Sequence, residues 1–123
     1  MNPVGQKPRR EDEIRLATEA LALAGRTRRL FQNDALSGFE PAEVELLLAL
    51  FLEPDQSVSE LAKALEVARP TVSNALRSLS AKGLVTPRQD PKDGRVRRSR
   101  LSPSGRRVLR AFLKAAAPAL RAE

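Results

Sequence analysis

Apolar residues recur at helical spacing in five stretches of this chain and give way once to a short alternating, basic hairpin pattern. From Glu11 to about Gln32 the set Ile14, Leu16, Ala17, Ala20, Leu21, Leu23, Ala24, Leu30 and Phe31 predicts a helix. Glu11, Asp12 and Glu13 suit its positive end, and Arg26, Arg28 and Arg29 its negative end. The set is wider than one stripe, so the helix needs more than one neighbour, either its own domain wrapped around it or a second copy of the chain. After a break at Ser37 and Gly38, Glu40 precedes Pro41, and Val44, Leu47, Leu48 and Phe51 give a core face that Pro54 and Asp55 end. Ser57 and Val58 suit a short strand.

The stretch from Val58 to Leu101 is the most informative. Ser59 is a good N-cap followed by Glu60, and Leu61, Ala62 and Leu65 form a helical stripe. Glu66, Val67 and Ala68 break it. Pro70 belongs in the first turn of a second helix, which runs from Arg69 to Lys82 with Gly83 as its stop. Val72, Ala75, Leu76 and Leu79 point that helix into a core, leaving Arg69, Thr71, Asn74, Arg77 and Ser78 outside. This outer face has donors and acceptors but no acid. In a major groove arginine can pair with guanine, asparagine with adenine, and a threonine methyl can touch thymine. Leu84 and Val85 begin a strand, Asp90 to Gly94 turn, and Arg95 to Leu101 return with Arg95, Arg97, Arg98 and Arg100. So many cations on one hairpin repel one another in isolation but suit a surface laid on phosphates. Ser102 then caps a last helix with Pro103 at its first position. Its apolar face is Val108, Leu109, Phe112, Leu113, Ala116 and Leu120, and Pro118 is expected to bend or end it. The expected fold is mainly α with a small β-hairpin (α+β), a winged helix-turn-helix.

Composition narrows the chemistry. The 123 residues allow one domain, and with no Cys and no His the chain has no disulfide framework, thiolate sensor, histidine-ligated metal or neutral-pH proton shuttle. The remaining nucleophiles lack an obvious base, so no catalytic residue, metal or cofactor is assigned and the chain is not read as an enzyme. The longest apolar run, Leu46 to Leu52, cannot span a bilayer, and no signal peptide is evident; the expected location is cytoplasmic, with no membrane partner. Net charge is +7 and unevenly placed: 7 basic and 10 acidic residues precede Ser57, and 15 basic and 5 acidic follow from there. A basic patch could also serve RNA, lipid or an acidic protein. With four Phe, no Trp and no Tyr there is no stacking platform for unpaired bases, and the basic segment lacks the bulky apolar face of a lipid-binding helix.

At these residues the segment resembles the DNA-binding domain of the MarR family of bacterial transcriptional regulators. The family's wing pattern, Asp-x-Arg/Lys-Asp-x-Arg, appears as Asp90, Lys92, Asp93 and Arg95, and its Leu-Thr/Ser-Pro-x-Gly junction as Leu101, Ser102, Pro103, Ser104 and Gly105. The resemblance covers about Ala35 to Val108. It implies a homodimer on a pseudo-palindromic double-stranded DNA operator, with recognition helices in successive major grooves and Arg95 in the minor groove. It also implies a small-molecule effector, whose pocket the sequence does not identify.

The resulting division is a mobile N-terminal arm (1–10) and one winged-helix domain (11–123), with dimerisation helices at 11–33 and 103–123. Its DNA-binding lobe is 41–102, including the recognition helix 69–82 and the wing 84–101. The DNA-binding candidates are Arg69, Thr71, Asn74, Arg77 and Ser78 on the helix and Lys92, Asp93, Arg95, Arg97 and Arg98 on the wing. The expected function is a sequence-specific transcriptional regulator, a dimeric repressor under small-molecule control. The alternative is a protein–protein assembly module whose basic face docks an acidic partner. Three departures from the family pattern carry expectations. Glu66 stands where a glycine commonly closes the helix-turn-helix turn, so a left-handed backbone there costs about 1 kcal/mol or more. Arg97 and Ser99 take positions with the parity of Leu101, where the family tends to place inward apolar residues, implying a shorter or more mobile wing. The chain stops at Glu123, whereas family members usually continue through another helix that completes the dimer.

Overall fold

The computed structural model describes residues 9–32 and 37–121. Most of the expected 1–10 arm lies outside them, and Arg10 already belongs to the first helix. In chain order the elements are α1 (Arg10–Phe31), α2 (Pro41–Leu52), β1 (Gln56–Ser57), α3 (Val58–Leu65), α4 (Arg69–Ala81), β2 (Val85–Gln89), β3 (Arg97–Leu101) and α5 (Pro103–Arg121). Helices α2 to α5 enclose one core, and the strands form an antiparallel sheet in the order β1-β3-β2 at its edge. Val85 pairs with Leu101, Arg88 with Arg98, and on the other side of β3 Gln56 pairs with Ser99. Among the described residues no helix is long and apolar enough to cross a membrane.

Helix α2 is the centre of the packing, meeting α3, α4, α5 and β3. Val44 and Leu47 are buried as expected, but so are Leu46 and Leu50, while Leu48 is half-buried and Phe51 is exposed. A helix contacted on several sides buries more than one stripe, which moves the core face away from Phe51. At its start Glu40 and Glu43 form a capping box.

The boundaries around α3 differ from expectation by one or two residues. The N-cap is Ser57 and not Ser59: Ser57 Oγ accepts from Glu60 N and Glu60 Oε1 accepts from Ser57 N, each at 3.1 Å. That reciprocal pair needs a spacing of three, which only Ser57 has to Glu60. Ser57 also ends the short strand, so Val58 is helical. Glu66 is left-handed, with φ 55° and ψ 44°, so the strain expected of a non-glycine there is present.

Helix α4 buries Val72, Ala75, Leu76 and Leu79, has Lys82 as its cap, and is followed by left-handed Gly83. Leu84 N donates to Leu79 O, which completes the helix stop and leaves the strand to begin at Val85. Strand β3 begins at Arg97 and not at Arg95, because Arg95 and Val96 are held in the turn by Asp93.

Ser102 caps α5 by accepting from Gly105 N at 3.0 Å, and its own hydroxyl donates to Gly83 O. Gly105 lies against the wing base: a Cβ there would stand 2.1 Å from Leu84 O, so this position admits no side chain. Leu109, Phe112 and Ala116 are buried, whereas Leu120 is exposed. Pro118 neither ends the helix nor stops it short of Arg121. The carbonyl that Pro118 leaves without an amide partner belongs to exposed Lys114, where water can satisfy it. Helix α1 packs on α5 and touches the core through Leu30 and Phe31 near its end, but buries no residue fully.

Candidate nucleic-acid interface

The outer face of α4 is built by the packing of its inner one. With Val72, Leu76 and Leu79 fixed inward, Arg69, Thr71, Asn74 and Arg77 are exposed. Arg77 Nη1 donates to Asn74 Oδ1 at 3.2 Å, so two polar side chains of the open face are held side by side one turn apart. Ser78 does not join them. It is half-buried and donates at 2.8 Å to Glu43 Oε2, which also accepts from Lys82 Nζ at 3.0 Å. Lys82 in turn lies 4.4 Å from the centre of the Phe39 ring. Burial pushes the Glu43 carboxyl up, but the Glu40 amide, Lys82 and Ser78 together hold it below the usual glutamate value. This cluster ties α4 to α2 and has no free group to offer a ligand.

The wing turn is made by its own aspartates. Asp90 Oδ1 accepts from Lys92 N and Asp93 N, and Asp93 Oδ1 accepts from Arg95 N. Asp93 also accepts from the Arg95 guanidinium at 3.2 Å, although that side chain is 92% exposed. The spacing Asp90, Lys92, Asp93, Arg95 is therefore a turn that aims an arginine outward.

Along the strands, alternation divides the remaining arginines. Arg97 follows the parity of Ser99 and Leu101, but at the end of β3 it stays exposed while Ser99 is buried. It shares with Arg77, Ser73, Ser80, Val85 and Pro87 a crevice of about 420 Å³ between α4 and the wing. Arg88, Arg98 and Arg100 have the opposite parity. Arg98 is enclosed by partners: Nε donates to Asp90 Oδ2 at 2.7 Å, and Nη1 donates to Glu60 Oε1 at 2.6 Å and to Asp55 O at 3.1 Å. Arg88 donates through Nε and Nη2 to the two carboxylate oxygens of Asp55. These contacts hold Asp55, Glu60 and Asp90 below their usual carboxylate values; the largest cause is the Arg88 bond for Asp55, the Ser57 amide for Glu60 and the Arg98 bond for Asp90.

Of the ten candidates, the structure thus places Arg69, Thr71, Asn74 and Arg77 on one open helix face, and leaves Arg95, paired with Asp93, and Arg97 exposed on the wing. Lys92 is exposed at the turn, and Asp93 orients Arg95. Ser78 and Arg98 are turned to partners within the fold. Asp55 and Glu43, which organise those partners, carried no recognisable signal in the sequence because their contacts come from residues more than 30 positions away.

Residues 37–96 match the model of the MarR family. The winged segment belongs to the MarR family. A curated relative, an uncharacterised HTH-type transcriptional regulator YdgJ of Bacillus subtilis, is 33% identical over 73 residues, which is 59% of this chain and 44% of that protein. The chain thus spans less than half the length of that relative. Among solved structures, a probable transcriptional regulator from Pseudomonas aeruginosa superposes with a TM-score of 0.73 at 28% identity, covering 92% of this chain and 84% of that one. BpsR of Bordetella bronchiseptica, whose DNA binding is regulated by 6-hydroxynicotinic acid, has the same fold, with a TM-score of 0.70 at 24% identity over 85% of this chain and 80% of that one.

Proposed function

We propose that this chain is a sequence-specific double-stranded DNA-binding transcriptional regulator acting as a homodimeric repressor on a pseudo-palindromic operator. The observation that carries the reading is the shared crevice: Arg77 of the recognition helix and Arg97 of the wing open onto one surface, and neither is consumed by an internal ion pair. Arg69, Thr71, Asn74 and Arg77 would select bases in the major groove. Lys92 and Arg97 would neutralise phosphates, and Arg95, carried at the turn, would enter the minor groove. Asp93, Ser78 and Arg98 support these groups from behind. Such a regulator works in the cytoplasm.

Selection of bound duplexes from a random pool tests the reading, the expected result being an inverted-repeat consensus; recovery of no enriched sequence would refute it. Arg77→Ala is expected to weaken the selected site by about 1 to 3 kcal/mol and to leave scrambled duplex nearly unaffected. Arg95→Ala is expected to flatten the dependence of binding on salt by about one phosphate's worth.

The dimer is supported by α1, whose Leu16, Leu21 and Leu23 are more than half exposed. Leu16 and Leu23 share one face of the helix and Leu21 lies nearly opposite, so an isolated subunit leaves apolar surface open on both. Small-molecule control is supported by a crevice of about 220 Å³ in which Arg106 and Arg110 face Leu50, Phe51, Pro54 and Leu101. Two guanidiniums above an apolar floor suit a small aromatic carboxylate. A thermal-shift screen of phenolic acids should find stabilisation that Arg110→Ala removes.

A further inference from the structure

Three arginines meet at the base of the wing, and cross-strand pairing makes their arrangement unfavourable by itself. Arg88 stands directly opposite Arg98 on β2 and β3, and Arg100 follows on the same face of the sheet. Like charges placed opposite each other weaken a ladder unless something neutralises them. Glu60 and Asp90 are ion-paired to Arg98, and Asp90 acts on the charge of Arg88 only at longer range. Asp55 reaches all three: its carboxylate takes the fork of Arg88, its Oδ1 lies 3.8 Å from Arg100, and its backbone carbonyl accepts from Arg98.

Asp55 is also one of two non-glycine residues with positive φ among the described residues, at 68°. That conformation belongs to the turn between α2 and β1, where Gln56 donates from its side chain to Ala49 O and Glu53 O. The turn is therefore fixed to the end of α2, and whatever Asp55 holds is fixed to α2 as well. A left-handed aspartate is tolerated where its short polar side chain finds local partners, and here the partners are the wing.

We propose that Asp55 is the positioning residue of the wing, binding both wing strands to the α2 end so that Arg95 and Arg97 meet DNA at a fixed angle to α4. The proposal rests on the reading of α4 and the wing as a DNA-binding surface. Contacts to the phosphate backbone set register only when the element that makes them is held. Releasing the fork of Arg88 and the neighbouring charge on Arg100 leaves two more mobile cations and a looser wing. Non-specific attraction then increases while discrimination declines.

Asp55→Asn tests this in the full chain, since asparagine accepts the left-handed backbone while it removes the charge and replaces one of the two oxygens that accept from Arg88 by an NH2 donor. Two measurements decide it. Hydrogen exchange at the β2 and β3 amides is expected to quicken severalfold while α2 and α4 keep their protection; unchanged exchange in the strands would overturn the proposal whether or not the protein binds DNA. On an inverted-repeat duplex chosen from a random pool and its scrambled counterpart, the ratio of affinities should fall severalfold. The slope of log affinity against log salt on the scrambled duplex should steepen by about one to two, at roughly 0.9 per added phosphate contact. Simple loss of structure would weaken both duplexes and flatten the slope, and that pattern would equally overturn the positioning role. If the unaltered protein binds neither duplex, the DNA reading is what fails, and the exchange data still decide whether Asp55 holds the wing.

Discussion

In α2, a helix of 12 residues, Val44, Leu46, Leu47 and Leu50 are each about 1% exposed; in α1, with 22 residues, no side chain is buried. Both helices contain several leucines and alanines, but 9 of the 22 residues of α1 are charged against 2 of the 12 in α2. The number of neighbours separates them as well. Helix α2 is surrounded by α3, α4, α5 and β3, whereas α1 packs on α5 and touches the core near its end, through Leu30 and Phe31. The winged lobe therefore contains the burial needed for its own stability, and α1 carries apolar surface that the described residues leave open. The buried core and the open apolar surface lie in different helices of the same chain.

That contrast is sharpest in the core. Phe112 of α5 is 2% exposed and packs in the cluster that includes α2, so Phe112→Ala is expected to cost about 3 to 5 kcal/mol in denaturant unfolding. A loss under 1 kcal/mol would mean that the lobe is not held by this cluster. An intermediate effect is expected at the polar tie between α2 and α4. Glu43→Gln removes the charge that accepts from Ser78 and Lys82 and should cost about 1 to 2 kcal/mol at neutral pH. Because the folded protein holds the Glu43 carboxyl low, its contribution is complete above the ordinary glutamate value of about 4.5 and is lost as pH falls through the lowered one. The difference between the two proteins should therefore shrink in acid, and a difference that is constant from pH 7 to pH 3 would assign it to shape alone.

The smallest effect on the lobe is expected in α1. Leu21, 75% exposed, contributes almost nothing to an isolated subunit, so Leu21→Ala should change unfolding at high dilution by no more than about 0.5 kcal/mol. The pair Leu16→Asp and Leu23→Asp, one face of the helix, should instead abolish self-association in sedimentation at micromolar concentration. If both variants leave the mass in solution unchanged, the apolar face of α1 serves something other than a second copy.

Periodicity made most of this fold legible. The 3.6-residue pattern located all five helices, and the proline at Pro70 and glycine at Gly83 bracketed α4 to within a residue. The wing turn was readable because Asp90 and Asp93 bond to amides only two or three residues away. Ser78 and Arg98 were not readable in the same way. Whether a serine or arginine turns outward or inward depends on partners 35 and 38 positions off, Glu43 and Glu60, and local spacing holds no record of them. Ser57 and Ser59 were separable only through their distance from Glu60. The open face of α4 followed from its buried one, so Arg69, Thr71, Asn74 and Arg77 emerged where the pattern put them.

The alternation along β3 sends Arg97 toward α4 and Arg98 and Arg100 the other way, and pairing of Gln56 with Ser99 pins that arrangement. Strand geometry makes the choice binary. Deleting Val96, between Gly94 and Arg97, would leave the net charge intact, yet a one-position slide of the strand would exchange the two faces wholesale. The wing would then turn its clamped arginines toward α4 and carry Arg97 to the far side of the sheet.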